Sequence, residues 1–179
     1  MNIREATHAD VPAIARMHVE GWRATYKGIV PDEFIAELTY EMRERQWHRA
    51  LSEESLDNGV FCYVAEDEPG QIVGFVSGGP ERTGDVVYKG ELYSIYLLQP
   101  YQGQGVGHRL MSVCVDRLLQ LGFRSMLVWV ITANPTTRFY EALGGQQIGK
   151  RQEEIRGTLI DEVAYGWKDI TPLKQSQPA

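Results

Sequence analysis

The stretch that most constrains this chain is Glu91-Leu-Tyr-Ser-Ile-Tyr-Leu-Leu-Gln-Pro-Tyr-Gln-Gly-Gln-Gly-Val-Gly107. Its first eight residues, Glu91 to Leu98, are rich in aromatic and β-branched side chains and read as a strand. Pro100 ends that strand, because proline cannot donate to a sheet ladder. Glycines at 103, 105 and 107 follow, and Gly105 to Leu121 then repeats apolar residues at helical spacing, with Leu110, Cys114 and Leu118 on one face and Gly122 as the stop. A strand feeding a helix through such a turn makes an anion site: glycine lets the backbone come close, and the first N–H groups of the helix point outward with the macrodipole behind them. A pyrophosphate fits that description. Two familiar nucleotide signatures do not apply, because residue 108 is His where a dinucleotide fingerprint requires glycine, and no Gly-Lys-Ser/Thr follows.

The elements around this segment follow from their periodicity. Ile3 to Glu5 reads as a short strand, and Thr7-His8-Ala9-Asp10 offers a capping box for a helix carrying Val11, Ile14, Ala15, His18 and Trp22 to about Tyr26. Gly28 and Pro31 interrupt before a further helical pair to about Leu51. Val60 to Glu66 and Ile72 to Gly78 form a hairpin about Glu68-Pro69-Gly70, and a polar loop from Pro80 to Asp85 leads to the central strand. Ser125 to Ile131 is a strand and Asn134 to Leu143 a helix with Asn as its cap. Gln146 to Ile155 and Thr158 to Trp167 close the chain as a hairpin. The fold class is therefore α/β: a single domain over 1–170 with a central mixed, mostly antiparallel sheet flanked by helices, and a polar, frayed tail at 171–179.

Composition narrows the function. Eighteen Lys and Arg against 24 Asp and Glu give a formal charge of −6, which offers no general attraction to nucleic acid. The polar start Met1-Asn2-Ile3-Arg4-Glu5 lacks the apolar stretch of a secretory signal, and the longest apolar run, Met126 to Ile131, is far short of the ~20 residues that span a bilayer. A cytoplasmic protein without a membrane partner is expected. Cys62 and Cys114 lie in apolar runs and read as core thiols, and no His or Cys pair has metal-ligand spacing, so no metal is expected.

Two motifs in order then identify a resemblance. Gln102, Gly105 and Gly107 meet the pattern Gln/Arg-x-x-Gly-x-Gly/Ala, and Asn134, Phe139, Tyr140, Glu141 and Gly144 match an Asn followed by Phe-Tyr-Glu and a helix-ending Gly. Together they resemble the GNAT superfamily of N-acetyltransferases, over nearly the whole chain. Trp22-Arg-x-Thr-Tyr26 further resembles its small-molecule acetyltransferases. Thr137 and Gly145 depart from the usual Ala and aromatic.

The resemblance implies transfer of acetyl from acetyl-CoA to a primary amine of a small molecule or peptide, by direct attack on the thioester. A CoA-binding sensor, or an enzyme using a longer acyl-CoA, is the alternative. It implies a cofactor site of Tyr96, Leu97, Leu98, Gln102, Gly103, Gln104, Gly105, Val106, Gly107, His108, Asn134 and Tyr140. Within it a backbone N–H at Leu97 would act as oxyanion donor, Asn134 would hold the pantetheine amides and His108 would contact a phosphate. Tyr140 would be the general acid at the CoA sulfur, and Glu91 the candidate base. Trp22 and Tyr26, with Tyr93, would line the acceptor pocket. Dimerisation is common in the family. Each assignment has a plainer reading: sheet pairing for 96–98, a core ring for Tyr140, an N-cap for Asn134, a solvated or salt-bridged carboxylate for Glu91, core packing for the aromatics.

Overall fold

A computed structural model describes residues 1–175. Seven strands, β1 (Asn2–Glu5), β2 (Phe61–Glu66), β3 (Ile72–Pro80), β4 (Gly90–Leu97), β5 (Met126–Ile131), β6 (Gln146–Ile155) and β7 (Thr158–Trp167), form one sheet in the order β1-β2-β3-β4-β5-β7-β6. Every neighbouring pair is antiparallel except β4 with β5. The helices are α1 (Val11–Tyr26), α2 (Asp32–Glu37), α3 (Tyr40–Ala50), α4 (Glu53–Asp57), α5 (Val106–Gln120) and α6 (Thr137–Ala142). Among them none is long and apolar enough to cross a membrane.

The parallel pair is joined through a helix, since a parallel connection needs a long crossover. α5 is that crossover. It lays Leu110, Met111, Cys114, Val115 and Leu118 on the sheet, where they pack with Val76, Leu92, Met126 and Val128. α1 covers the opposite face and buries Val11, Ile14, Ala15 and Met17 against Val64, Phe75 and Trp47 of α3. Both thiols are core residues: Cys62 and Cys114 are buried and unpaired, and burial pushes each thiol pKa up.

Three expectations are corrected at element boundaries. Ser52 caps a further short helix, α4, its hydroxyl accepting from the Ser55 N–H. The helix expected from Asn134 begins at Thr137, because the chain from Asn134 to Thr136 closes tighter bonds, Thr137 N to the Asn134 carbonyl and Phe139 N to the Thr136 carbonyl. The tail is not frayed from Thr171: Thr171–Gln175 is a 3-10 turn that buries Leu173, and with Ile170 it joins the α5 cluster. Those two apolar side chains outweigh the polar composition around them. Residues 176–179 of the expected tail lie outside the described residues.

Candidate active site

The parallel ladder between β4 and β5 has two rungs, Gly90 opposite Met126 and Glu91 opposite Leu127. Beyond them β4 stays with β3 as far as Gly74 opposite Leu97, and β5 stays with β7 as far as Ile131 opposite Glu162. Each strand follows its own antiparallel neighbour, so the two part and a wedge opens in the sheet. A cavity of about 920 Å³ lies here, its walls including Leu97, Trp129, Asn134 and Tyr140.

Which backbone groups face the wedge follows from the alternation of an antiparallel pair. The Leu98 N–H donates to the Val73 carbonyl at 2.9 Å, so Leu98 and Tyr96 are the residues bonded to β3 and Leu97 between them turns its N–H and C=O away. The Leu97 carbonyl accepts from Gln102 Nε2 at 3.0 Å. Its N–H points into the wedge. Gln102 therefore ties the turn back to the strand end, and Gln104 Nε2 does the same at the Pro100 carbonyl, 2.7 Å away.

Past Pro100 the chain turns through Gly103 and Gly105 at φ of 71° and 78°, the left-handed region that favours glycine. Gly105 is the N-cap of α5. The N–H groups of Val106, Gly107 and His108 then have no carbonyl one turn earlier to reach, while Arg109 N bonds the Gly105 carbonyl. A Cβ at Gly103 would meet nothing within 4 Å, and one at Gly107 only the Phe139 ring edge at 3.7 Å. The protein leaves this volume open, beside unfilled donors, as a phosphate cradle requires. His108 is half-buried and edge-on to Phe139, which is edge-on to Tyr140. Those rings join the two sequence motifs in space.

Tyr140 on α6 is buried among Phe139, Tyr165 and Trp167, with its hydroxyl making no hydrogen bond among the described residues. Burial pushes its pKa up, so the hydroxyl keeps its proton. Asn134 is more occupied than the sequence suggests: Nδ2 donates to the Tyr26 hydroxyl at 2.6 Å and Oδ1 accepts the Thr136 N–H at 2.9 Å. It caps a turn and holds Tyr26 at once, leaving one Nδ2 hydrogen and one Oδ1 lone pair. Tyr26 packs against Trp22 at 4.5 Å, and Trp22 against Phe34 at 5.6 Å. Both residues line the cavity from α1.

Glu91 lies on the cavity wall at 2 % exposure. Oε2 accepts from the backbone N–H and Nε of Arg82, both at 3.1 Å, and Oε1 accepts from Nη2 at 2.5 Å. Three of its four lone-pair sites are filled. The Arg82 guanidinium in turn lies 3.9 Å over the Tyr93 ring, whose hydroxyl donates to the Pro80 carbonyl. The carboxylate thus anchors the loop between β3 and β4, with one Oε1 lone pair left.

Sequence offers no reason to separate His18 from the other histidines, yet it lines the cavity, tilted against Tyr96 at 5.0 Å and Phe75 at 5.9 Å. Its Nδ1 accepts the Trp47 indole N–H at 3.3 Å. Burial, and then the charge of Arg43, pushes its pKa down to about 3, so the ring is neutral. Nothing but the residues of α3 and β3 around it marks His18, and these are distant in sequence.

The acetyltransferase (GNAT) family model matches residues 22–145. An uncharacterized N-acetyltransferase of Bacillus subtilis, YuaI, is 42% identical over 175 residues, 97% of this chain and 96% of the relative. A phosphinothricin acetyltransferase of the GNAT superfamily from Sinorhizobium meliloti, solved in complex with acetyl-CoA, aligns at TM-score 0.69 and 26% identity over 93% of this chain and 86% of that one. A ribosomal-protein-alanine N-acetyltransferase from Brucella melitensis aligns at TM-score 0.72 and 22% identity, over 93% and 99%.

Proposed function

Since the chain belongs to the acetyltransferase (GNAT) family of acetyl-CoA-dependent N-acetyltransferases, we propose that it acetylates the primary amine of a small molecule or peptide in the cytoplasm. The observation that carries this is the wedge, where β4 turns the Leu97 N–H away from β3 towards a cavity that Tyr140 also lines and that is bordered by Gln102, on the turn into the N-terminus of α5. Two buried, unpaired thiols suit a reducing compartment.

Acetyl-CoA supplies an acetyl group activated as a thioester. The α5 N-terminus, with Gly103 to His108 around it, binds the pyrophosphate through backbone donors, and the helix dipole adds to each of them. The exposed edge of β4 at Tyr96 to Leu98 offers strand-like pairing to an amide-bearing arm, with the spare positions of Asn134 on the other side. The Leu97 N–H lies where a carbonyl oxygen gains negative charge under attack; a fixed donor of that kind contributes several kcal/mol, about 3 for a single one. Tyr140 holds a proton that it can present to a departing thiolate. Phenol, at pKa ~10, is a weaker acid than a thiol at ~8.5, and burial of Tyr140 widens that gap, so the hydroxyl acts as a hydrogen-bond donor that strengthens as charge builds on sulfur. The remaining lone pair of Glu91 Oε1 can receive the amine proton through a water molecule.

Thermal melting with acetyl-CoA, NAD and ATP at equal concentrations tests the cofactor. Acetyl-CoA at a hundred times its dissociation constant stabilises by ~2.7 kcal/mol, and the other two should do nothing comparable. Free thiol released from acetyl-CoA by a panel of amines tests the transfer. A shift with NAD and none with acetyl-CoA overturns the reading.

A further inference from the structure

On the face of the sheet turned towards α1, the side chains alternate so that Glu91, Trp129 and Glu162 stand on one side. Glu91 pairs with Leu127, Trp129 is two residues on from Leu127, and Glu162 pairs with Ile131. Arg151 of β6 stands opposite Glu162 and reaches back over β7, so that its guanidinium lies 4.1 Å above the Trp129 ring. Arg82 makes the same arrangement beside Glu91, over Tyr93. The cavity therefore carries two matching assemblies, each an arginine stacked on an aromatic ring and tied to a carboxylate.

The charges of this wall are paired. Each acidic side chain already has a cationic partner: Glu91 has Arg82, Glu162 has Arg151 through Nε at 2.6 Å, and Glu20 has Arg23 and the Tyr40 hydroxyl. The arginines keep whole donor groups free. Both Nη groups of Arg151 and Nη1 of Arg82 make no hydrogen bond among the described residues, and the two side chains are 41% and 60% exposed. The Trp129 indole N–H is buried and has no partner among the described residues. An indole can only donate. Each carboxylate of the wall thus has its charge offset by an arginine, while three Nη groups of Arg82 and Arg151 stay free to hold an oxyanion. The stacking on Trp129 and the bond to Glu162 also hold the Arg151 fork still, so that little is lost in ordering it around a planar anion.

We propose that the amine acceptor carries a carboxylate, as a free amino acid does, and that the unused Nη edge of Arg151 beside Trp129 holds it while the amine enters the wedge. This rests on the acetyl-transfer reading above. It separates amino acids from polyamines, which would meet only carboxylates already neutralised.

The test compares matched substrates, each amino acid against the amine left when its carboxylate is removed: lysine with cadaverine, ornithine with putrescine, phenylalanine with phenethylamine. Thiol release from acetyl-CoA is the readout. The amino acid member should have a kcat/KM at least about tenfold higher, the size expected for one charge-assisted hydrogen-bonded contact. In Arg151→Gln that ratio should fall towards one through KM, and Trp129→Phe should lower it less. A glycine-extended dipeptide arm distinguishes a free amino acid from a peptide terminus. Thiol release with ratios near one, or in favour of the amine, overturns the carboxylate site and leaves acetyl transfer standing. If no amine releases thiol, the transfer reading fails instead. The carboxylate site is then decided by ligand-observed NMR on the CoA-loaded protein: lysine signals that respond, and lose the response in Arg151→Gln, support it, and equal responses from lysine and cadaverine overturn it.

Discussion

The indole N–H of Trp47 donates to Nδ1 of His18 at 3.3 Å, and because an indole cannot accept, this bond fixes the imidazole with its proton on Nε2. The folded pKa of about 3 lies below the ordinary 6.5 of the unfolded chain, so between these values the unfolded state binds the extra proton. Stability from this group is complete above pH 6.5 and is lost as pH falls towards 3, by up to about 1.4 kcal/mol per pH unit. His18→Gln keeps an acceptor for Trp47 and does not titrate, so urea melts of this variant between pH 7.5 and 5 should show a shallower slope than the native protein. An identical slope would place the acid sensitivity elsewhere.

Tyr140→Phe removes one hydroxyl and leaves the ring among Phe139, Tyr165 and Trp167. Turnover should fall about 100-fold or more, the typical worth of a general acid, with acetyl-CoA affinity by calorimetry nearly unchanged. Native kcat would return Tyr140 to a packing role; lost affinity would make it a cofactor contact.

Glu91→Gln keeps shape but not charge; its amide nitrogen can only donate, so it loses at least one bond from Arg82 and leaves that guanidinium unneutralised. Turnover should drop most at low pH, where the amine arrives protonated and needs a base. A pH profile parallel to that of the native enzyme would confine Glu91 to anchoring the β3–β4 loop.

Gly21 lies where α1 crosses β4, and a Cβ there would fall 2.5 Å from two ring atoms of Tyr96. Tyr96 is stacked on Phe75 and cannot simply swing away. Gly21→Ala should destabilise the fold by about 1–3 kcal/mol of overpacking, less the roughly 1 kcal/mol that alanine gains in a helix, and should weaken acetyl-CoA binding by shifting the strand edge at Leu97. A variant with native melting temperature and affinity would show that the ring relaxes freely.

Much of this was legible in the chain because it is local. Val106 to Gln120 declares itself by periodicity and Gly103 to Gly107 by composition, and Tyr140 belongs to a motif with a fixed spacing. What the sequence hides is lateral. That β4 and β5 part after Glu91 depends on which neighbour each strand prefers, and no local pattern records it. Arg151 and Trp129 meet across two strand spacings, and His18 meets Trp47 across 29 residues, so neither pair has a signature. Asn134 caps the turn before α6 and not the helix itself, whose N-cap is Thr136, and its bond to Tyr26, 108 residues away, has no local signal. The ordering of the chain at Leu173 is hidden because two apolar residues in a polar stretch carry little weight without α5 beneath them.

The two rungs at Gly90 and Glu91 have a consequence for how the molecule is assembled. To one side are four strands that complete their own ladders, to the other side three, and the seam between them is stitched at one end only. The thread across the back is α5, the same helix whose first turn presents empty donors. A cosubstrate lying along β4 would supply the rungs that the chain omits and would grip that helix at the point where it leaves the seam. The ligand would then serve as a temporary eighth strand, and its departure as CoA would reopen a gap that the polypeptide alone never closes.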